Sequence, residues 1–123
     1  FLISKPSSGE EVTWDSEQII DNTDAIAPLT DMLEGVVENG TGKTAAVEGY
    51  TTAGKTGTAE YADDTGSYVK NMYNLDFVGF LPNATSNLVC FVGVNHVPYE
   101  RNTCEVFKDI MTEASSRYKI AQK

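Results

Sequence analysis

The chain has 123 residues, 41% of them apolar, which suits one compact domain with a modest core. Its 18 acidic and 9 basic residues leave a formal charge of −9. That balance excludes a nucleic-acid surface, which needs clustered Lys and Arg, and disfavours docking on anionic lipid. Its simplest consequence is solubility. No apolar run reaches the roughly 18–20 residues that span a bilayer. Phe1-Leu2-Ile3 is too short for a signal-peptide core, and the chain starts without Met, so an excised or processed piece is expected.

Residues 1–23 read as an irregular lead-in, with a turn at Pro6–Gly9 and short strands expected at Phe1–Lys5 and Glu11–Trp14. Asp21, Asn22, Thr23 and Asp24 are N-cap candidates. After them Ile26, Leu29, Met32, Leu33, Val36 and Val37 recur at helical spacing and predict a helix over 24–39. Pro28 fits only its first turn. Gly40 suits a left-handed residue after the helix. A loop bracketed by Gly40, Gly42 and Gly49 follows.

Strands are then expected over 52–61, near Asn74–Leu81 and near Asn87–Asn95, with a turn at 62–67 and a hairpin-like connection at 82–86. A last helix is expected over 104–118, capped by Asn102 or Thr103. Its apolar face would comprise Val106, Phe107, Ile110, Met111, Ala114 and Tyr118. Helix, three closely connected strands, helix: this order predicts an α+β fold, a three-stranded antiparallel sheet with two packing helices.

Cys90 lies in an apolar run, where a buried thiol is expected, and spacing leaves a Cys90–Cys104 disulfide open. His96 is the single histidine, so no metal site is expected, and no cofactor.

The informative stretch is Gly49-Tyr50-Thr51-Thr52-Ala53-Gly54-Lys55-Thr56-Gly57-Thr58-Ala59-Glu60. Gly49, Gly54, Lys55 and Thr56 match the phosphate-binding G-x-x-x-x-G-K-[ST] pattern. That pattern needs a buried strand before it and a helix starting at the Lys-Thr. Residues 42–48 make a poor buried strand, and Gly57 follows at once. Nucleotide binding through Gly49–Thr56 is therefore the weaker reading. The stronger one is Lys-Thr-Gly on a strand, a triplet that occurs with S-x-x-K and S-D-N in penicillin-binding proteins and β-lactamases.

The longer string Ala53–Glu60 closely resembles the third motif of class B penicillin-binding proteins. Asp31–Val37 with Asn39-Gly40-Thr41-Gly42 resembles that family's helix and glycine loop, and Phe77–Pro82 its following strand. Thr58–Asp63 with Val92–Asn95 is closer to the division type than to the elongation type. The resemblance implies a fragment of the penicillin-binding protein/serine β-lactamase-like transpeptidase fold. It implies a parent enzyme that cross-links peptidoglycan stem peptides ending in D-Ala-D-Ala and is acylated by β-lactams. It also implies a membrane-anchored parent with this domain on the extracytoplasmic face.

Lys55, Thr56, Gly57 and Thr58 are then the expected substrate-binding residues. Lys55 supplies a cation for the substrate carboxylate, and a hydroxyl beside it adds direction. Thr56 and Thr58, two apart, share one strand face while Lys55 starts from the other. Gly57 lets a backbone or the substrate come close. The resemblance further implies that the Thr58 backbone N–H is an oxyanion-hole donor. Tyr61, Tyr68 and Tyr73 are candidates for a cleft lining or for plain packing. Asp63 and Asp64 read as solvated turn acids.

The nucleophile is missing. Ser67-Tyr68-Val69-Lys70, in a turn, and Ser116-Arg117-Tyr118-Lys119, at a helix end, both follow Lys55, the wrong order for S-x-x-K. No S-x-N precedes Lys55. The chain alone is expected to be inactive and to need the N-terminal part of the same domain. Uncovered strand edges and an apolar helix face would also favour a homodimer or strand exchange.

Overall fold

Asn22 starts the first helical segment by accepting the Asp24 N–H on its side chain at 3.1 Å. This cap opens a 3-10 turn, Thr23–Ala25, that runs directly into helix α1, Ile26–Glu38. Pro28 falls in the first turn, where no intrahelical N–H bond is lost. The computed structural model describes Asp15, residues 17–99 and residues 102–122. The strands expected at Phe1–Lys5 and Glu11–Trp14 lie outside the described residues.

Helix α1 ends with Asn39 and Gly40 donating their N–H groups to Gly35 O at 3.0 Å and Val36 O at 3.1 Å. Gly40 is not the left-handed residue expected; the glycines with positive φ are Gly49 and Gly66. What position 40 requires is space. A Cβ there would stand 2.9 Å from Val36 O. Val36 O also accepts the Gly42 N–H at 3.0 Å, so the loop folds back on the helix's last turn. A short 3-10 turn, Lys43–Ala45, follows.

The sheet is an antiparallel meander in the order β1-β2-β3: β1 Ala53–Ala62, β2 Tyr68–Phe80, β3 Val89–Val97. Strand β2 begins at Tyr68 rather than near Asn74. Most side chains from Tyr68 to Asn71 are exposed, so they carry no alternation of apolar and polar residues to read. Two irregularities bend this ribbon, between Glu60 and Ala62 and between Tyr73 and Leu75. At the second, the Asn74 side chain accepts the His96 N–H at 3.2 Å, and His96 takes φ 55°.

Helix α2 spans Thr103–Arg117, with the Asn102 side chain accepting the Cys104 N–H at 3.0 Å as its cap. Its buried positions are Thr103, Cys104, Phe107, Met111 and Ser115. The expected apolar face was rotated: Val106, Ile110 and Tyr118 are 48%, 46% and 54% exposed. Small and polar residues close the true inner stripe, which the apolar spacing concealed. Helix α1 is also only partly covered. Val37 is buried, whereas Ile26, Leu29 and Met32 are 45%, 48% and 66% exposed.

The core gathers around two fully buried rings, Phe77 of β2 and Phe107 of α2, with centroids 4.8 Å apart at 64°. Edge-to-face packing of this kind adds about 0.5–1.5 kcal/mol beyond the area buried. The Phe77 ring lies where side chains on the paired glycines Gly54 and Gly79 would stand. A Cβ at Gly79 would approach Phe77 Cε1 at 2.8 Å, Phe107 Cζ at 2.9 Å and Ala53 O at 2.8 Å. No helix among the described residues is long and apolar enough to cross a membrane.

Gly79→Ala should therefore cost about 1–3 kcal/mol through overpacking. Gly35→Ala, where nothing lies within 4 Å, should stabilise α1 by about 0.5–1 kcal/mol. Urea unfolding midpoints should move in opposite directions for the two variants.

Candidate substrate-binding site

Among the described residues strand β1 is an edge of the sheet, so part of its backbone faces away from β2 with no described ladder partner. Its register sets Lys55 opposite Val78, Thr56 opposite Phe77, Gly57 opposite Asp76 and Thr58 opposite Leu75. Opposed residues share a sheet face. Thr56 and Thr58 therefore lie on the face of Phe77 and Leu75, toward α2, and Lys55 lies on the opposite face. Lys55 is exposed, and its Nζ donates to Thr56 O at 2.9 Å. It makes no ion pair with any described residue.

A cleft of about 320 Å³ opens between the glycine loop, β1 and the start of α2. Thr41, Thr44, Thr56, Thr58 and Asn102 give it a wall of hydroxyl and amide groups, and Tyr99 and Cys104 border it. The Thr41 and Thr56 hydroxyls are 2.8 Å apart. Asn102 Nδ2 donates to Thr44 Oγ1 at 3.0 Å, while its Oδ1 caps α2. The loop and the helix start are thus tied by one side chain. Gly57 has the expected close approach, but to a side chain: a Cβ there would run into the Asp76 carboxylate. Asp76 lines the same cleft.

Cys104 and Cys90 are free thiols, so the disulfide left open by the sequence is not formed. Burial pushes the Cys104 thiol above its ordinary pKa; the Thr44 hydroxyl opposes this and the Glu105 charge adds to it. Burial likewise raises Cys90. The thiolate is the nucleophilic form, so the cleft offers no activated sulfur.

The decoys resolve. Lys55 and Thr56 stand inside β1, with no helix starting there, which removes the nucleotide-binding reading of Gly49–Thr56. The Ser67–Lys70 match, expected in a turn, runs from the turn into β2, because that strand already begins at Tyr68. The Ser116–Lys119 match straddles the end of α2. Asp63 is more than a solvated acid. It accepts Thr65 Oγ1 at 2.6 Å, Thr65 N at 2.9 Å and Ser67 N at 3.1 Å, and so shapes the β1–β2 turn. The Thr65 hydroxyl, then the Ser67 and Thr65 amides, hold its pKa below the usual carboxylate value.

None of the three candidate tyrosines lines the cleft. Tyr61 packs tilted against His96 with ring centroids 3.8 Å apart, Tyr73 packs edge-on to Tyr99 at 5.6 Å, and Tyr68 is 72% exposed. Sequence reading missed Thr41, Thr44, Asp76 and Tyr99 as cleft residues. Their only signal was indirect: Thr41 sits between two loop glycines, and Asn102, which holds Thr44, was a cap candidate.

The family model of the penicillin-binding protein transpeptidase domain matches residues 10–112. Stage V sporulation protein D of Bacillus subtilis is 47% identical over 64 residues, 52% of this chain and 10% of that protein. A peptidoglycan D,D-transpeptidase FtsI homolog of Chlorokybus atmophyticus is 44% identical over 54 residues, 44% of this chain and 8% of that protein. The crystal structure of penicillin-binding protein 3 of Mycobacterium tuberculosis, complexed with ampicillin, superposes with a TM-score of 0.64 at 26% identity. That match covers 77% of this chain and 24% of that one. The chain thus spans a tenth or less of the curated relatives' length.

Proposed function

The chain belongs to the penicillin-binding protein transpeptidase family, and from that premise we propose that residues 1–123 are the Lys-Thr-Gly half of a class B transpeptidase domain. The longer protein is a serine-type D,D-transpeptidase that cross-links peptidoglycan stem peptides ending in D-Ala-D-Ala. It is acylated by β-lactams and held at the membrane with this domain outside the cytoplasm.

The observation that carries this reading is the edge strand itself. Thr56 and Thr58 turn two hydroxyls into one cleft beside a strand edge that a peptide can meet with its own backbone. These hydroxyls donate to the terminal carboxylate of the substrate. Lys55 leaves from the other face, but its flexible stem lets the ammonium swing across the open edge toward the same carboxylate. The Thr58 N–H serves the oxyanion that forms when the scissile carbonyl is attacked. Preorganised donors of this kind act on charge that develops only in the transition state. The attacking serine and its base come from S-x-x-K and S-x-N segments outside this chain. Lys55, Thr56, Gly57 and Thr58 therefore bind and polarise the substrate and leave the bond-making to groups elsewhere.

Fluorescent penicillin should leave no covalent label on the 123-residue chain and a denaturation-resistant label on the longer protein. Thr58→Pro removes the proposed donor and should slow acylation by roughly 10²–10³, whereas Thr58→Val keeps the N–H and should cost far less. Label on the short chain, or none on the longer protein, would overturn the proposal.

A second reading concerns the chain by itself. Ile26, Leu29 and Met32 on α1, with the β1 edge, are the surfaces proposed to meet the rest of the domain. Isolated, they favour self-association or strand exchange. Sedimentation should show a concentration-dependent dimer, and a monomer throughout would contradict it.

A further inference from the structure

From the 2.8 Å contact between the Thr41 and Thr56 hydroxyls, we propose that Thr41 is a positioning residue. It donates its hydroxyl proton to Thr56 and so aims the Thr56 proton at the substrate carboxylate. The inference rests on the carboxylate-binding role proposed for Thr56 above.

A threonine hydroxyl has one proton to give and two lone pairs to receive with. A carboxylate accepts only. To bind it, Thr56 must spend its proton on the ligand and keep an open acceptor side. In the free protein either hydroxyl of the pair could be the donor. A carboxylate in the cleft removes that ambiguity. Thr56 must then donate outward, and the contact persists only if Thr41 donates to Thr56. The result is a relay from Thr41 through Thr56 to the anion, in which each bond polarises the next.

The fold holds Thr41 in place for this. Thr41 lies between Gly40 and Gly42, whose N–H groups both bond to Val36 O, at 3.1 and 3.0 Å. Neither glycine has room for a side chain without disturbance. A Cβ at Gly40 would lie 2.9 Å from Val36 O, and one at Gly42 would lie 3.3 Å from Phe77 Cε2 and from Val36 Cγ1. The loop is thus set against the end of α1 and the Phe77 ring, and the residue between the anchors meets a partner fifteen positions away. Thr41 is itself exposed at the cleft wall, so its hydroxyl has water available without Thr56 and is not needed to satisfy a buried group.

The test uses the longer protein and the second-order acylation rate by a β-lactam and by the methyl ester of that β-lactam's carboxylate. Thr41→Val should slow acylation by the free acid about fivefold, the order expected for one lost hydrogen bond. The loss should appear in affinity rather than in the limiting rate. The ester, which has no anion to receive the relay, should react with the variant and the parent alike. Thr41→Ser should restore the acid rate to within about twofold, since it keeps the hydroxyl. In a Thr56→Val background, Thr41→Val should change nothing further.

Equal loss for acid and ester would overturn the proposal, because it would mark Thr41 as merely structural. An undiminished Thr41 effect in the Thr56→Val background would also overturn it, by showing that Thr41 acts without Thr56. Should Thr41→Val melt early, Thr41→Ala and the acid-to-ester ratio give the same decision, since a stability defect slows both substrates together. A parent protein that no β-lactam acylates would instead strike the transpeptidase reading itself.

Discussion

The ring of Phe77 fills the space above Gly54 and Gly79 that any other pair of residues would need for their own side chains, and the rest of the molecule is arranged around that fit. Three things follow from it. The two strands must pair in one register, because a slip of one residue would carry every side chain of β1 to the other face. Lys55 would then turn into the core and Thr56 out of the cleft. The ring's edge is left for Phe107, which seats α2. Its other flank lies against Gly42, which seats the glycine loop. One aromatic side chain thereby fixes the three segments that wall the cleft. Burying such a side chain contributes about 1.5–3 kcal/mol before any gain from ring packing.

The cleft draws on residues far apart in the chain: Thr41 and Thr44 from the loop, Thr56 and Thr58 from β1, Asn102 from the start of α2. All are small polar groups, tied by hydrogen bonds such as Thr41–Thr56 and Thr44–Asn102 rather than by ion pairs. This matters for a protein of charge −9 whose proposed ligand is an anion. The net charge of this segment does not itself attract a carboxylate, and charges beyond roughly 8 Å are screened at physiological salt. Binding must come from short, directed donors, with Lys55 as the one mobile cation in the Lys-Thr-Gly stretch. The Asp76 carboxylate lies over Gly57, on the sheet face of Lys55 rather than that of Thr56 and Thr58.

Much of this was legible in the chain, for physical reasons that can be named. The helix at Ile26–Glu38 and the meander announced themselves because apolar residues recur at the spacing of buried faces. The family was legible because the Lys-Thr-Gly string and its flanks are specific, and the fold class followed. What stayed hidden depends on contacts between distant segments. The first residues of β2 are mostly exposed, so their side chains say little. The inner stripe of α2 uses Thr103, Cys104 and Ser115, which do not look like a core until Phe77 and Ala45 are placed against it. Val106 and Ile110 look like a core and are not. Gly40 was read as suited to a left-handed turn, whereas its constraint is contact with Val36. The Thr41–Thr56 pair spans a loop whose path no local pattern encodes.

The central claim is that the Phe77 packing presents Thr56 and Thr58 to a substrate carboxylate while the Thr58 N–H meets the acyl oxygen. A crystal structure of the longer protein acylated by a β-lactam tests it most directly. The account predicts the ligand carboxylate within hydrogen-bonding distance, about 2.5–3.0 Å, of both threonine hydroxyls, and the acyl carbonyl oxygen at the Thr58 amide. A carboxylate seated away from Thr56 and Thr58, with the acyl oxygen turned from that amide, would contradict it.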